Sequence, residues 1–416
     1  MRSLFISRSI PEPLNTGTNQ RVFHLLKALS KVSEVTFVSA TTDGMQNGAP
    51  SACHSLCQEV LFFPLKHFGW QSDAELPLPI RKWKSMRRRF RKDPVLFQWY
   101  TSAAEASFVE DLCMRGFDLI WMERLFFLSL LPASLKTRVV IDLDDLEHRR
   151  LRRELTLAKL RGTWLLDFLE FMKLRRLECS LGRRSSELIV CSETDRRILG
   201  GGSRVWVVPN GVEVPERFEE HEVEATNPIF LFVGYMAYQA NIDAVRWFAR
   251  QILPLIRREE PGARFFIVGR DPSRAVWELH DNNAIVVTGT ISEVEPFMRQ
   301  ATVVVTPLRV GAGTRIKVLE AMANRRPVVS TSIGAEGLEV ESGSHLLIAN
   351  SASDFADACI QLLRDRSLRQ QLVTRAFDLV CAKYDWSKID LKVAQIALQD
   401  TVGGVTQHEE NLCQQR

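Results

Sequence analysis

The segment Thr306-Pro-Leu-Arg-Val-Gly-Ala-Gly-Thr-Arg-Ile-Lys-Val-Leu-Glu runs from an apolar, β-branched stretch into a helical pattern and concentrates unusual chemistry. Gly311 and Gly313 free the backbone to curl around an anion. Thr314 is placed to cap the helix that follows, whose first N–H groups and positive dipole end favour negative charge. Arg315 and Lys317 add two cations at the same point. Together they suit a diphosphate, a group that needs charge-assisted hydrogen bonds more than it needs a base. Glu320 follows further along the helix and, as a hydrogen-bond acceptor, suits a diol such as a ribose; standing alone it would read as an exposed helix carboxylate.

A second concentration is acidic. Val140-Ile-Asp-Leu-Asp-Asp-Leu-Glu-His-Arg ends an apolar run with Asp142, Asp144, Asp145, Glu147 and His148. These groups either face a ligand or cap a helix, which would also attract acids to its first turn. His148 reads as a surface residue and ranks below Asp144. Asp142 and Asp144 form an Asp-x-Asp pattern, but no metal is called for. Near the N-terminus Gly17 opens a helix after a Pro-containing loop, where backbone N–H groups could approach an anion or a sugar hydroxyl. An ordinary strand-to-helix turn would look the same. Cys53, His54 and Cys57 offer half a metal site without a matching pair to complete it.

The elements that must position these residues are short apolar runs separated by helical spacings. The first series is Leu4–Ser7, Val35–Ser39, Phe117–Trp121, Arg138–Leu143 and Glu187–Ser192; the second begins at Ile229, Ala263, Ala284, Ala301, Pro327 and His345. Alternating strands and helices predict an α/β chain with two doubly wound parallel sheets. With 416 residues, 45% hydrophobic and 25% charged, the composition is globular and supports two domains. The expected boundaries are an N-terminal Rossmann-like domain over residues 1–208, a C-terminal one over 209–380, a crossover helix over 381–402 that packs back on the first domain, and a loose polar tail over 403–416. Ligands of such sheets sit beyond the carboxyl ends of the strands, which is where the segments above fall. No signal peptide or membrane span is indicated, and eight scattered cysteines read as reduced thiols, so a cytoplasmic protein is expected.

Several motifs in one order carry a resemblance: the Gly17 loop, Val207-Val-Pro-Asn-Gly-Val, Phe232-Val-Gly, Phe266-Ile-Val-Gly, Val287-Thr-Gly-Thr, Gly311-Ala-Gly-Thr-Arg-Ile-Lys-Val-Leu-Glu-Ala-Met-Ala, Arg326-Pro-Val-Val-Ser-Thr, Gly334-Ala-Glu-Gly and Tyr384-Asp-Trp. The chain resembles glycosyltransferase family 4, the glycosyl transferases group 1 of GT-B architecture, and more narrowly the sugar transferases of exosortase and exopolysaccharide gene clusters. The resemblance implies two Rossmann-like domains facing a central cleft. It also implies a retaining hexosyltransferase that moves a sugar from a UDP- or GDP-sugar to a glycan or lipid-linked acceptor. In that reading Arg315 and Lys317 take the diphosphate and Glu320 the ribose. Gly234, Gly311, Gly313 and Thr314 line the donor, and the backbone at Thr290 and Ile291 faces the nucleobase. Gly17, Asp145 and His148 lie on the acceptor side, Asp144 joins Arg315 and Lys317 as a catalytic residue, and neither metal nor other cofactor is required.

Two departures from the family pattern stand out. Ala312 occupies a position where many members carry a sugar-contacting glutamate, and Gly234 is followed by Tyr-Met-Ala-Tyr-Gln-Ala-Asn where members often place an Arg and a Lys. A nucleotide-sugar epimerase on the same fold and a nucleotide-sugar-binding protein without turnover are the alternatives. Basic groups cluster at Arg81–Lys92 and between Arg149 and Arg184, the latter with Trp164, Phe168 and Phe171 interleaved. They suit solvated helix faces or an anionic membrane leaflet; no nucleic-acid module is present.

Overall fold

The computed structural model describes residues 1–14, 16–41, 51–64, 80, 87, 89–91, 93–95, 103–157, 164–181, 187–202, 204–215, 227–311 and 315–413. The chain divides into two compact units, Met1–Pro209 with Ile389–Arg416, and Asn210–Lys388.

In the first unit seven parallel strands pair in the order β3-β2-β1-β4-β5-β6-β7. They are β1 (Arg2–Ser7), β2 (Glu34–Thr41), β3 (Glu59–Pro64), β4 (Leu119–Glu123), β5 (Arg138–Asp142), β6 (Glu187–Val190) and β7 (Val205–Val207). Every side chain of β4 is buried, as a parallel strand covered on both faces requires. The helices described are α1 (Gly17–Ser30), α2 (Ser51–Leu56), α3 (Ala103–Cys113), α4 (Glu147–Leu157), α5 (Trp164–Leu181) and α6 (Glu193–Ile198). Helix α1 starts where the Thr16 side chain accepts a hydrogen bond from the Asn19 N–H at 3.1 Å, the usual exchange at an N-cap.

The second unit carries six strands in the order β10-β9-β8-β11-β12-β13. These are β8 (Ile229–Val233), β9 (Arg264–Val268), β10 (Ile285–Val287), β11 (Val303–Thr306), β12 (Val328–Ser330) and β13 (Leu347–Ile348). Its helices are α7 (Gln239–Trp247), α8 (Leu253–Glu259), α9 (Arg274–Trp277), α10 (Glu295–Gln300), α11 (Ile316–Ala323), α12 (Ala352–Arg364) and α13 (Arg366–Leu379). A one-turn π-helical bulge, Phe248–Ile252, links α7 to α8 and seats Phe248 among Phe230, Phe265 and Phe355, with the Phe248 and Phe265 ring centres 4.4 Å apart. Rings in such tilted arrangements add to the roughly 1.5–3 kcal/mol that each buried side chain supplies. Each sheet reverses its order once, between β1 and β4 and between β8 and β11, and the loops leaving those strands border the usual ligand crevice.

The last helix, α14 (Trp386–Cys413), returns from Ile389 onward to the first unit and meets α1 there. The buried Asp390 carboxylate lies 3.5 Å from both His24 Nδ1 and Lys31 Nζ of that helix. Farther along, the carbonyls of Ile396 and Ala397 accept hydrogen bonds from Arg138. Residues 403–413, expected as a loose tail, continue this helix: the stretch after the glycine pair is rich in residues compatible with helix and holds no proline. Among the described residues no helix is long and apolar enough to cross a membrane.

Candidate functional site

In the second unit three strand ends converge on the residues singled out above. Lys317, in the first turn of α11, donates to Asn241 Oδ1 at 2.9 Å, and Asn241 Nδ2 donates to the carbonyl of Tyr235 at 2.8 Å, so one asparagine ties α11 to the loop after β8. Gly234 opens that loop, and a Cβ there would sit 2.8 Å from Asn241 Nδ2 and 3.0 Å from Lys317 Nζ. The glycine therefore makes room for the ammonium. Chain-wise, this loop lacks the Arg and Lys common in the family; in space, Lys317 supplies a cation at its first residue.

The Lys317 ammonium also lies 4.1 Å from the Phe232 ring centre, a cation–π contact in a poorly hydrated place. Burial, aided by the positive charge of Arg315 and opposed by Glu320, pushes it down to about 7. Arg315 is buried and donates through Nε to the carbonyl of Ile333 at 3.1 Å. Gly311, at φ +124°, is packed so closely that a Cβ would lie 3.2 Å from the Arg315 guanidinium. Arg315 occupies the N-cap position of α11 and forms no side-chain cap, so the helix begins later than the role assigned to Thr314 requires. Thr314 itself, with Ala312 and Gly313, lies outside the described residues.

Glu320 is half-buried, not an exposed helix carboxylate. Burial raises its carboxyl and Lys317 opposes that shift. No described side chain donates a hydrogen bond to it, which leaves its oxygens open to a ligand hydroxyl. Gly269, at φ +149°, is held so tightly that a Cβ would fall 1.8 Å from the Gly234 carbonyl oxygen. Past β10, Thr290 is exposed and Ile291 half-buried in the apolar core. Gly289, at φ +72°, lies against the indole of Trp277, which is 45% exposed, a flat surface on which a base could stack.

The acidic concentration of the first unit is an ion-pair network. Arg21 of α1, wholly buried, grips Asp142 through Nε and Nη2, both at 2.7 Å, and donates to the Val208 carbonyl at 3.2 Å. Asp144, at φ +53°, receives Arg124 Nη2 at 2.8 Å on one oxygen and the Cys191 thiol at 3.0 Å on the other. Arg124 also reaches Glu123 at 3.1 Å and Glu147 at 3.4 Å. Burial pushes Glu123 up against the pull of Arg124. With both oxygens engaged, Asp144 does not fit a free carboxylate base. Asp145 is half-buried beside it.

His148 is corrected from surface to interior: it is 5% exposed, and its Nδ1 meets the fully buried Glu178 of α5. Glu178 also accepts the Glu147 N–H at 2.9 Å and thus caps the start of α4. Asp142 is engaged by Arg21 rather than open to a cation, and the described residues contain no group of three or more metal-ligating side chains. Gly17 is the first residue of α1, behind the Thr16 cap. Missed from the sequence were Arg21, Arg124, Glu178 and Trp277; Gly269 and Asn241 stand in motifs quoted above but were given no role there. The two arginines had a signal, since a buried acidic cluster needs cations; Glu178 and Trp277 had none.

Against known proteins, residues 227–365 match the family model described as glycosyl transferases group 1. A protein of the cps region of Klebsiella pneumoniae is 28% identical over 193 residues, 44% of this chain and 50% of that protein. The chain spans about half the length of the curated relatives it matches. Sucrose-phosphate synthase from Thermosynechococcus elongatus superposes with a TM-score of 0.70 at 17% identity, covering 97% of this chain and all of that one. Anabaena HepE in complex with UDP-glucose gives a TM-score of 0.62 at 14% identity, over 96% of this chain and 100% of the other. The likeness to these structures shows the GT-B fold, and residues 227–365 resemble the group 1 glycosyl transferases.

Proposed function

We propose that this protein is a retaining glycosyltransferase that takes a UDP- or GDP-sugar as donor and builds a cell-surface polysaccharide on a glycan or lipid-linked acceptor at the cytoplasmic face of the membrane. The observation that carries the reading is the meeting of Arg315 and Lys317 with Gly234 and Gly311 at the carboxyl ends of β8 and β11, inside the matched region. Sugar transfer from such a donor builds negative charge on the departing diphosphate. Cations held in place beforehand, in a poorly hydrated site, stabilise that charge without having to reorganise. Arg315 is fixed by Ile333, and Lys317 is fixed by Asn241. Glu320 accepts from the ribose, Trp277 supports the base, and the Thr290–Ile291 backbone reads its edge.

The UDP-glucose held by the Anabaena protein supports a nucleotide-sugar donor, and the Klebsiella relative's location supports a capsule-type product. The protein's part on the acceptor side is positioning: the ion pairs of Arg21 and Arg124 hold the loops after β4 and β5. The leaving diphosphate accepts the acceptor's proton on the same face of the sugar. A thermal-shift panel of UDP, GDP, ADP and their sugars, run on the wild type and on Arg315→Ala/Lys317→Ala, tests the donor site. Stabilisation by one nucleotide that disappears in the variant is expected. No shift with any nucleotide would overturn the reading.

A further inference from the structure

Helix α5 presents a face that the donor site does not use. Trp164, Leu165, Phe168 and Met172 are 39%, 63%, 37% and 44% exposed, large values for apolar side chains of these sizes. At about 100° per residue these four positions fall within one arc of the helix, with Arg175 inside that arc and Arg176 just beyond one edge of it. Both arginines are exposed, and neither forms an ion pair with a described residue. Trp164 and Phe168 stack, with ring centres 5.5 Å apart and planes 9° from parallel, which keeps both rings at the surface.

The acidic residues of α5 all lie on other sides and are engaged there. Asp167 pairs with Arg89, Glu170 accepts the Val95 N–H, and Glu178 is buried against His148. Lys173 likewise turns away, donating to the Arg89 carbonyl at 2.7 Å. What remains outward is apolar and purely cationic. That combination excludes a merely solvated face, which would carry acids as well, and it matches the interface of an anionic bilayer, where rings and methylenes enter the headgroup region and guanidinium groups meet lipid phosphates. A second copy of the chain is a poorer partner: two such faces would set like charges together, and four apolar side chains fall far short of the roughly 20–30 residues a side of a stable protein interface.

We infer that the outward face of α5, Trp164 to Arg176, docks the protein on an anionic lipid surface, lying flat on it rather than crossing it. The test is flotation of the full chain with vesicles of phosphatidylcholine alone and with roughly a third phosphatidylglycerol added, comparing wild type, Phe168→Ser/Met172→Ser and Arg175→Glu/Arg176→Glu. Wild type is expected to float with the anionic vesicles only; Arg175→Glu/Arg176→Glu is expected to lose at least about ten-fold in partition, since each basic group near such a surface contributes about five-fold, and Phe168→Ser/Met172→Ser to lose at least about ten-fold through the apolar area it no longer buries. The melting temperature and the response to UDP-sugars should stay at wild-type values, which separates failure of this face from failure of the donor site. Equal flotation of variants and wild type, no flotation at all, or a wild-type dimer in sedimentation that both variants dissociate would each overturn the inference.

Discussion

If Lys317 neutralises a diphosphate, donor binding must depend on pH in a direction the structure dictates. The free protein holds this ammonium near 7 because it is buried next to Arg315. A bound diphosphate restores the cause for staying charged, so binding above neutrality must take up a proton. Below pH 7 the lysine is already charged and contributes no pH dependence. Above it, affinity falls in proportion to the fraction still protonated, until the pH passes the raised value in the complex. With a free value of about 7, affinity drops about fifteen-fold from neutrality to about pH 8.5. Isothermal titration of UDP over that range, in buffers of different ionisation enthalpy, reads both the slope and the proton. Lys317→Met should bind weakly and without slope. A wild-type affinity that is flat with pH, or a slope that survives in Lys317→Met, would refute the assignment.

The same lysine has a second signature, in stability. A lysine whose folded value lies below its unfolded one opposes folding most at low pH, and the opposition fades as pH rises from about 7 toward the ordinary lysine range. Lys317→Met should therefore melt higher than wild type at pH 6 to 7 in scanning calorimetry while losing donor binding. Glu320→Ala should weaken UDP binding about ten- to hundred-fold, the worth of a hydrogen bond to a charged acceptor, with little change in melting. Gly269→Ala, whose methyl would strike the Gly234 carbonyl, should cost about 1–3 kcal/mol in denaturant unfolding and displace the loop that holds Asn241. Arg21→Ala strands Asp142 in the interior and should cost about 3–5 kcal/mol; Arg21→Met/Asp142→Leu should recover much of it.

What the sequence discloses follows from how far apart the partners lie along the chain. All six strands of the second unit are legible, because each is an apolar run that ends at a turn. In the first unit β3 and β7 escape notice: β3 finishes on Pro64 after an irregular stretch, and β7 is three residues long with only partial burial. The cations of the donor site are visible since glycines, Arg315 and Lys317 share one segment. Their fixings are not, because Asn241 reaches Lys317 across 76 positions and Ile333 reaches Arg315 across 18. His148 fails for a related reason: a histidine in a polar run looks exposed until Glu178, on another helix, is brought to it. Most of Arg81–Lys92 lies outside the described residues; of that stretch, Arg89 is seen meeting Asp167 of α5.

The return of α14 to the first unit also orders events on the ribosome. Asn210–Lys388 is continuous in sequence and can close its core as soon as it emerges. Met1–Pro209, synthesised earlier, waits for a piece that emerges only after the whole second unit. Until Ile389 and the residues after it arrive, His24 and Lys31 lack Asp390, and Arg138 lacks the carbonyls of Ile396 and Ala397. The unit begun first is thus finished last, and a chain terminated shortly before Ile389 would leave the ribosome with its second unit complete and its first one open, a substrate for proteases and chaperones.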